Sequence, residues 1–381
     1  MTEYLFWLSF TLIIYIYFGY PILIFAISKI CAKDIRKSFF EPSVSVLISA
    51  YNEESSIGNT IENKLQINYP KGKLEIIVIS DGSTDRTDDI VKKYSEGSVR
   101  LFRQEPRAGK TSALNMGIAH ARGEILVFSD ANSMYEKDAL LYLVENFIDP
   151  TVGYVTGKMI YSNPDGTVTG DGCSAYMKYE NFLRHHETRL GSVVGVDGGI
   201  DAVRKSIYRP MLADQLPDFI LPLMVIEQGY RVVYEPRALL KEDALKSLAE
   251  EYKMRVRVSL RALWALYDMR HLLNPLKYGL FSWQIFSHKI LRYMVFALLI
   301  SVYISNAFLW NKSISYKSLF LAQNMFYLIA YVGMFQKKGN GVWAKVTFVP
   351  YYFTLLNLAA GLAFWKFLKR EKQVVWTPRV G

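Results

Sequence analysis

The chain has 381 residues, enough for two domains or for one domain with a membrane part. Its hydrophobic share of 51%, with 26 Tyr, 22 Phe and 7 Trp, is too high for an ordinary soluble enzyme. The net charge of +10, from 45 basic and 35 acidic residues, lies largely beside the apolar stretches, so it favours anionic lipid head groups over nucleic acid as partners.

Four uncharged stretches predict membrane-spanning helices, one near the N terminus and three near the C terminus. A helix that crosses the hydrocarbon core needs roughly 20 apolar residues. The stretches 4–28, 293–311, 318–336 and 346–365 all reach about that length. The first is also too long for the apolar region of a signal peptide and lacks a basic start. The sequence therefore predicts an integral membrane protein.

Basic residues predict that the segment between the first two spans is cytoplasmic, at the cell (inner) membrane. They follow the first span and precede the second at Lys29, Lys33, Arg36, Lys37, Lys289 and Arg292, and cytoplasmic loops carry such an excess. The tail after the last stretch is also basic and favours the same side. Because four complete spans cannot place it there, one stretch is expected to be re-entrant or to lie in the interface.

Between the first two spans, apolar strands alternate with helices, which predicts an α/β domain. Strands are expected at 44–48, 74–79, 99–102 and 125–128. Helices are expected at 56–66, between the second and third strands with an end near residue 94, and at 109–121. Near-continuous apolar strands of this kind are typical of a mainly parallel sheet covered on both faces. Such sheets bind ligands beyond the carboxyl ends of their strands.

Polar side chains follow three of these strands at the edge where ligands bind. They are Tyr51, Asn52 and Glu53 after the first strand, Asp81 and Ser83 after the second, and Asp130 and Asn132 after the fourth. Asp and Asn are also common in turns, because their side chains hydrogen-bond the nearby backbone. Because three strand ends converge on one crevice, a site for a hard cation is the stronger interpretation of Asp130 and Asn132.

The segment 103–115 supplies cations to the same crevice. Arg107 and Lys110 bracket Gly109 at a predicted helix start, which suits an anionic diphosphate, although a solvated basic turn would show the same residues. The chain has no G-x-G-x-x-G motif after the first strand and no Walker A motif, so ordinary dinucleotide-binding and ATP-binding loops are disfavoured.

The ordered motifs resemble those of family 2 glycosyltransferases, in particular the membrane-embedded branch with cellulose, hyaluronan and poly-N-acetylglucosamine synthases. The motifs are SAYNEE, ISDGSTD, RAGKTSALN, FSDAN, GGIDAVRKSIY and PDFILPLMVIEQGYRVVYEP, over about residues 42–257. The resemblance implies a GT-A-type nucleotide-sugar-binding domain with one N-terminal and about three C-terminal transmembrane helices. The expected parts are an N-terminal span (1–30), a cytoplasmic catalytic domain (36–245), interfacial amphipathic helices (246–288), C-terminal spans (289–368) and a basic tail (369–381).

The resemblance also implies how a nucleotide sugar is held. Tyr51 and Glu53 would hold the nucleobase and ribose, with Tyr51 stacking on the base. Asp81 would accept a hydrogen bond from a uracil imide, which makes UDP the expected nucleotide. Lys110, with Arg107 nearby, would face the diphosphate.

The same resemblance makes Asp130 a ligand of Mg²⁺ or Mn²⁺. The family often has a second acid where this chain has Asn132. We therefore expect water and phosphate oxygens to complete the ligands of the cation, as hard cations allow.

Transfer also needs a base that takes the proton of the acceptor hydroxyl. Asp218 falls on the second acid of the family's acidic pair, while the first position is Pro217. Asp218 could instead cap the helix that follows, in which case Asp214 is the substitute. Asp197, before two glycines, is expected to border the acceptor site, although a tight turn explains it equally well.

Only the arginine of the synthases' Gln-x-x-Arg-Trp motif is present. Met254 and Val258 stand at the glutamine and tryptophan positions, and Arg257 is expected to contact the diphosphate or the acceptor. The helix around 245–267 has basic and apolar faces, so it is expected to lie on the bilayer.

Together these expectations describe an inverting, metal-dependent enzyme that adds sugar from a UDP-sugar to a growing polysaccharide, with a β-linked product. A partner subunit is possible. Two alternatives stay open: transfer of one sugar to a lipid-linked acceptor, and a non-catalytic membrane protein that binds nucleotide sugars. A transporter is disfavoured because no predicted span contains an ionisable residue of the kind that transport pathways need.

Overall fold

A computed structural model describes residues 1–95, 97–162, 168–243, 248–335 and 342–374. The strands are β1 (Val44–Ala50), β2 (Leu74–Ser80), β3 (Val99–Arg103), β4 (Ile125–Asp130), β5 (Met134–Tyr135), β6 (Val152–Ser162), β7 (Ile200–Arg204) and β8 (Arg231–Asp243). They form one sheet in the order β3-β2-β1-β4-β7-β6-β8-β5.

The α-helices lie before, between and after these strands along the chain. In chain order they are α1 (Thr2–Ile14), α2 (Tyr20–Ile30), α3 (Ile57–Leu65), α4 (Thr87–Lys92), α5 (Lys110–His120), α6 (Ala139–Val144), α7 (Val168–Leu190), α8 (Pro217–Glu227), α9 (Leu248–Asp268), α10 (Pro275–Tyr278), α11 (Leu280–Ile285), α12 (Leu291–Tyr293), α13 (Val295–Leu309), α14 (Ile314–Met334) and α15 (Val342–Leu368). Single π-helical turns, Tyr15–Gly19 and Phe286–Ile290, join α1 to α2 and α11 to α12.

The sheet is mixed, so the expectation of a mainly parallel sheet is correct only for one half. Strands β3, β2, β1 and β4 are parallel neighbours. In the other half β6 and β8 are parallel, but β7 is antiparallel to both β4 and β6, and β5 is antiparallel to β8. An apolar strand sequence reports burial on both faces but not direction, because direction depends on how distant segments pair.

Helices cover both faces of the sheet, which explains why all seven residues of β1 are buried. Val46 and Ile48 face a core that includes α3, α4 and α6. Leu47 faces a second core, on the other side, which includes α5, α8 and α9. Helix α5 lies close to the sheet at Gly117, where an added Cβ would be 2.5 Å from Cδ1 of Ile79.

The number of apolar helices long enough to span a membrane is smaller than predicted. Thr2–Ile30 and Val346–Leu368 qualify by length and composition, and the pair Leu280–Tyr293 and Val295–Leu309, bent by 58°, adds a third if it counts as one span. Among the described residues no other helix qualifies. The predicted span at 318–336 falls largely on α14, where an uncharged run still contains the polar residues Gln323 and Asn324.

Helix α15 lies along α9. Ala359 and Ala363 pack against Val256 and Leu260 of α9, and the Arg255 guanidinium donates to the Tyr352 hydroxyl at 3.0 Å. The chain after α15 returns to the α/β domain, where Lys372 pairs with Asp214. Of the predicted basic tail, residues 375–381 lie outside the described residues.

Candidate active site

Three predicted strand ends lie side by side in the sheet. Strands β2, β1 and β4 are adjacent, with Ala50 opposite Ser80 and Ser49 opposite Asp130 in the parallel register. Neighbouring strands are about 4.8 Å apart. The polar residues that follow β1 and β2 therefore meet the end of β4 in one crevice, as the sequence predicts.

One side of the crevice is formed by the turns after β1 and β2. The backbone N–H of Asn52, a residue with φ of +54°, donates to Ser83 Oγ at 3.2 Å. The N–H of Glu53 donates to Thr87 Oγ1 at 2.8 Å. These bonds join the two turns, so the residues predicted to hold the base and ribose are fixed relative to each other.

Asp81 is fully buried and anchors the loop that begins α5. Its carboxylate accepts hydrogen bonds from the N–H groups of Ala108 at 2.8 Å and Gly109 at 3.0 Å. Arg107 connects this loop to Tyr51, since its guanidinium carbon lies 3.4 Å from the centroid of the Tyr51 ring. The structure thus brings Tyr51, Asp81 and Arg107 together. To contact a base as predicted, the Asp81 carboxylate would have to accept a hydrogen bond from the base in addition to those from the loop.

Lys110 and Asp130 are paired across the crevice. Lys110 is the first residue of α5 and donates to the carboxylate at the end of β4. Burial alone lowers the pKa of Lys110, but the carboxylates of Asp130 and Asp218 raise it above its ordinary value. The ammonium therefore stays charged near neutral pH and can meet an anion.

Sequence reasoning missed a second carboxylate on this side of the crevice. Glu242 of β8 is buried, and its Oε1 accepts from the Asn132 amide at 3.2 Å. Its charge also raises the pKa of Lys110. Glu242 thus lies beside Asn132, the position where the family often has its second acid. The sequence indicated Glu242 only as one of two adjacent acidic residues, 242 and 243.

The oxygen atoms of Asp130, Asn132 and Glu242 are hard donors, which suit Mg²⁺ or Mn²⁺. Within the described ranges, no group of three or more His, Cys, Asp or Glu side chains is placed to hold a metal. The residues present therefore fit a cation that also takes ligands from water and from a bound diphosphate, as hard cations do.

Asp218 lies in the first turn of α8 and faces the crevice. A Cβ on Gly198, whose φ is +85°, would be 2.5 Å from Asp218 Oδ2, so the carboxylate lies over this turn. The N-cap residue of α8 is Leu216, and the helix has no side-chain cap bond. The capping alternative therefore lacks its hydrogen bond, and the charge of Asp218 acts on Lys110 at the start of α5.

The other predicted acids are already engaged in ion pairs. Asp214 pairs with Lys372. Asp197 pairs with buried Arg184 at 2.6 Å and accepts from the N–H of Met159 at 3.2 Å. The structure therefore holds Asp197 within the protein, next to the Gly198 turn, and its contribution to an acceptor site would be indirect.

Helix α9 carries a further arginine in addition to Arg257. Arg257 is half-buried. Burial lowers the pKa of Arg261, one turn later, and the charge of Arg257 adds to this effect. Arg261 reaches Thr111 of α5 at 3.2 Å. Sequence reasoning missed Arg261 because no motif position pointed to it.

Two more features of the site were not predicted. Asp201 on β7 is buried, and burial raises its pKa to about 7. The segment after α15 reaches the loop that precedes α5, since a Cβ on Gly109 would lie 2.7 Å from the carbonyl oxygen of Val374. The sequence showed only a basic tail there.

Comparison with known proteins identifies relatives of this domain. Residues 45–210 match glycosyl transferase family 2. The chain is 31% identical over 224 residues to poly-beta-1,6-N-acetyl-D-glucosamine synthase of Staphylococcus aureus (strain COL), covering 56% of this chain and 53% of the relative. It is 32% identical over 234 residues to the probable glycosyltransferase YdaM of Bacillus subtilis (strain 168), covering 57% and 54%. The matched region thus spans about half the length of these relatives.

One solved structure matches nearly the whole chain. It is the mannosyltransferase PcManGT from Pyrobaculum calidifontis in complex with GDP-Man and Mn²⁺, with a TM-score of 0.72 and 21% identity, covering 97% of this chain and all (100%) of the other. At this identity the likeness shows a shared fold, a GT-A-like sheet with helices on both faces.

Proposed function

We propose that the chain is an enzyme with a family 2 glycosyltransferase domain of the poly-N-acetylglucosamine synthase type, and that it transfers a sugar from UDP to a growing polysaccharide. The observation that carries the proposal is the grouping of Lys110, Asp130 and Asp218 in one crevice, where Lys110 pairs with Asp130 and the charges of both carboxylates act on Lys110. A cation, a metal-binding carboxylate and a base are the groups that glycosyl transfer from a diphosphate requires.

In this proposal each residue has one task. Tyr51 and Glu53 hold the nucleobase and ribose of the donor, and Lys110, with Arg107 nearby, binds the diphosphate as a charged donor. When bound at Asp130, Mg²⁺ or Mn²⁺ neutralises charge on the departing diphosphate. Asp218 takes the proton from the acceptor hydroxyl as it attacks, and a direct displacement of an α-linked donor yields a β-linked product.

The first sugar to test is N-acetylglucosamine, because it is in the name of the Staphylococcus aureus relatives. The neighbour that shares the fold is solved with GDP-mannose, so GDP-mannose is the matched comparison. UDP is proposed from the resemblance at Asp81, where a carboxylate beside a stacking tyrosine suits the uracil imide.

We further propose that the catalytic domain is on the cytoplasmic side of the cell membrane. The indole N–H of Trp264 donates to the Glu371 carbonyl at 2.8 Å, so the chain after α15 is on the same side as the catalytic domain. The chain meets this condition if it crosses the membrane twice between the domain and Glu371. The two candidate crossings are the bent helix pair and α15. This arrangement also places the basic tail with the other basic loops.

A lipid-linked acceptor remains the second candidate, because Val258 replaces the tryptophan that would stack on a sugar. The test is to incubate the purified full chain in lipid with labelled UDP-N-acetylglucosamine, UDP-glucose and GDP-mannose, and to size the products. A ladder that resists mild acid and stays insoluble in organic solvent supports a polysaccharide. A single solvent-extractable glycolipid contradicts it and favours the second candidate.

A further inference from the structure

Arg261 is an unusual residue for its position. It lies on α9, the helix that packs against α15, yet it is only 6% exposed. A guanidinium keeps its charge in proteins, so burying one is costly unless its donors find acceptors. The acceptors of Arg261 therefore indicate what the residue does.

The guanidinium joins three parts of the protein. Its Nη2 donates to Thr111 Oγ1 at 3.2 Å and also to the carbonyl oxygen of Gln215. Its Nε donates to the carbonyl oxygen of Asp214 at 3.3 Å. Thr111 Oγ1 donates in turn to the Gln215 carbonyl at 2.7 Å. Helix α9, helix α5 and the loop before α8 thus meet at one charged group.

This junction lies between two residues of the proposed mechanism. Thr111 follows Lys110 in the first turn of α5, and Gln215 is three residues before Asp218. The charge of Asp218 also acts directly on Arg261. Any shift of α5 relative to the 214–218 segment would stretch the bonds that Arg261 makes.

We propose that Arg261 is a positioning residue that sets the separation of Lys110 from Asp218, and hence of the donor diphosphate from the acceptor hydroxyl. The proposal rests on the function proposed above for these two residues. Catalytic groups need to be held to within about 0.5 Å of their productive positions. Misplacement by about 1 Å can lower turnover roughly 100-fold.

The geometry also explains why an arginine is required. Its planar fork directs several N–H groups at once, here to two carbonyl oxygens and one hydroxyl. A lysine carries the same charge but presents it as a point at the end of a flexible stem. Arg261→Lys therefore keeps the charge and loses the fork.

The experiment compares Arg261→Lys with wild type in the full chain reconstituted in lipid. We expect kcat for sugar transfer to fall roughly 10- to 100-fold, since a positioning defect acts on the chemical step. The Kd for UDP with Mn²⁺ should change less than about threefold, because Arg261 does not touch the nucleotide side directly. Arg270→Lys is the matched control, since this arginine is exposed at the end of the same segment and should leave both quantities unchanged.

A second variant separates positioning from folding. Thr111→Val removes the junction from the α5 side, so the double variant should lose little more than Arg261→Lys alone. Additive losses of kcat in the double variant would overturn the proposal. An Arg261→Lys enzyme that keeps more than half of wild-type kcat would also overturn it, as would a loss of activity matched by an equal loss of folded protein. If wild type transfers no sugar from any donor tested, the proposed function fails first and this proposal with it.

Discussion

Lys110 forms an ion pair with Asp130, and the two residues belong to different elements, the start of α5 and the end of β4. Both side chains are partly exposed, at 24% and 31%, so ligands can reach the pair. If Asp130 holds a divalent cation, as proposed, the cation would compete with the Lys110 ammonium for the same carboxylate. A bound diphosphate would attract both positive groups, so it would favour the arrangement in which metal and lysine bind the ligand together.

The competition predicts opposite effects of Lys110→Met on two affinities. Mn²⁺ alone should bind more tightly, because Asp130 no longer has a competing ammonium. UDP with saturating Mn²⁺ should bind more weakly, because the diphosphate loses a charged donor. We expect roughly 3- to 10-fold in each direction, and tenfold corresponds to about 1.4 kcal/mol. Isothermal titration calorimetry measures both, with Lys92→Met, an exposed lysine, as the control. If both affinities move in the same direction, the competition is absent.

Replacing Asp218 by Asn tests the base. Asn keeps the shape of the side chain but cannot take a proton, so transfer should fall roughly 10²- to 10⁴-fold while UDP binding persists. Initial rates with labelled UDP-sugar measure the loss. Asp214→Asn is the comparison, since Asp214 pairs with Lys372 and should matter less. A transfer rate above about a tenth of wild type in Asp218→Asn would move the role of base to Asp214.

From the buried carboxyl of Asp201 we predict that the stability of the folded protein depends on pH. Burial raises its pKa from 3.8 to about 7, so the folded protein holds a proton that the unfolded chain has already released. The folded state therefore loses stability as pH rises from about 4 to about 7, by at most about 4 kcal/mol from this group.

Asp201→Asn cannot ionise, so its unfolding temperature relative to wild type should rise between pH 5 and pH 8, by roughly 2–8 °C. Thermal unfolding of both proteins across this range measures the difference. Asp89→Asn, at an exposed carboxylate, should show no such trend. A constant difference between Asp201→Asn and wild type at all pH values would show that Asp201 does not titrate in this range.

From the position of Lys64, below the loop that contains Asn132, we predict that this lysine affects activation by Mn²⁺. It is fully buried, and its Nζ donates to the Ser133 carbonyl at 2.6 Å, one residue after Asn132. Thr60 on the same helix donates to the Ala131 carbonyl at 2.6 Å, so α3 holds the loop that contains Asn132. Lys64→Met leaves the Ser133 carbonyl without this partner, which costs roughly 1–3 kcal/mol.

We therefore expect Lys64→Met to raise the Mn²⁺ concentration for half-maximal transfer several-fold and to lower the unfolding temperature. A Mn²⁺ titration at fixed UDP-sugar measures the first effect. Lys71→Met, an exposed lysine in the same domain, is the control. An unchanged Mn²⁺ requirement in a destabilised variant would limit Lys64 to a role in folding.

The sequence predicted the strand ends well because the information there is local. The expected strand at 125–128 is β4, Ile125–Asp130, and the helix expected at 109–121 is α5, Lys110–His120. An apolar run followed by Asp or Asn marks both the end of a strand and the start of a polar loop. Asp130 and Lys110 were therefore placed correctly before any pairing was known.

Glu242 could not be predicted in the same way. It approaches Asn132 only because β8 pairs with β5, across more than 100 residues of chain. The antiparallel insertion of β7 and the junction at Arg261 likewise depend on how distant segments pack. The predicted count of spans is not confirmed for a different reason: the prediction used the absence of charge alone, while amides such as Asn324 lower the apolar content.

The contact of Trp264 with the chain after α15 makes this indole an optical reporter. Its N–H donates to the Glu371 carbonyl, and the Lys372 ammonium lies 5.0 Å from its ring centroid. Displacing residues 371–372 would change both the polarity and the charge beside the ring. Fluorescence from a variant that keeps Trp264 as its single tryptophan would then follow, in real time, whether this segment is seated against the catalytic domain.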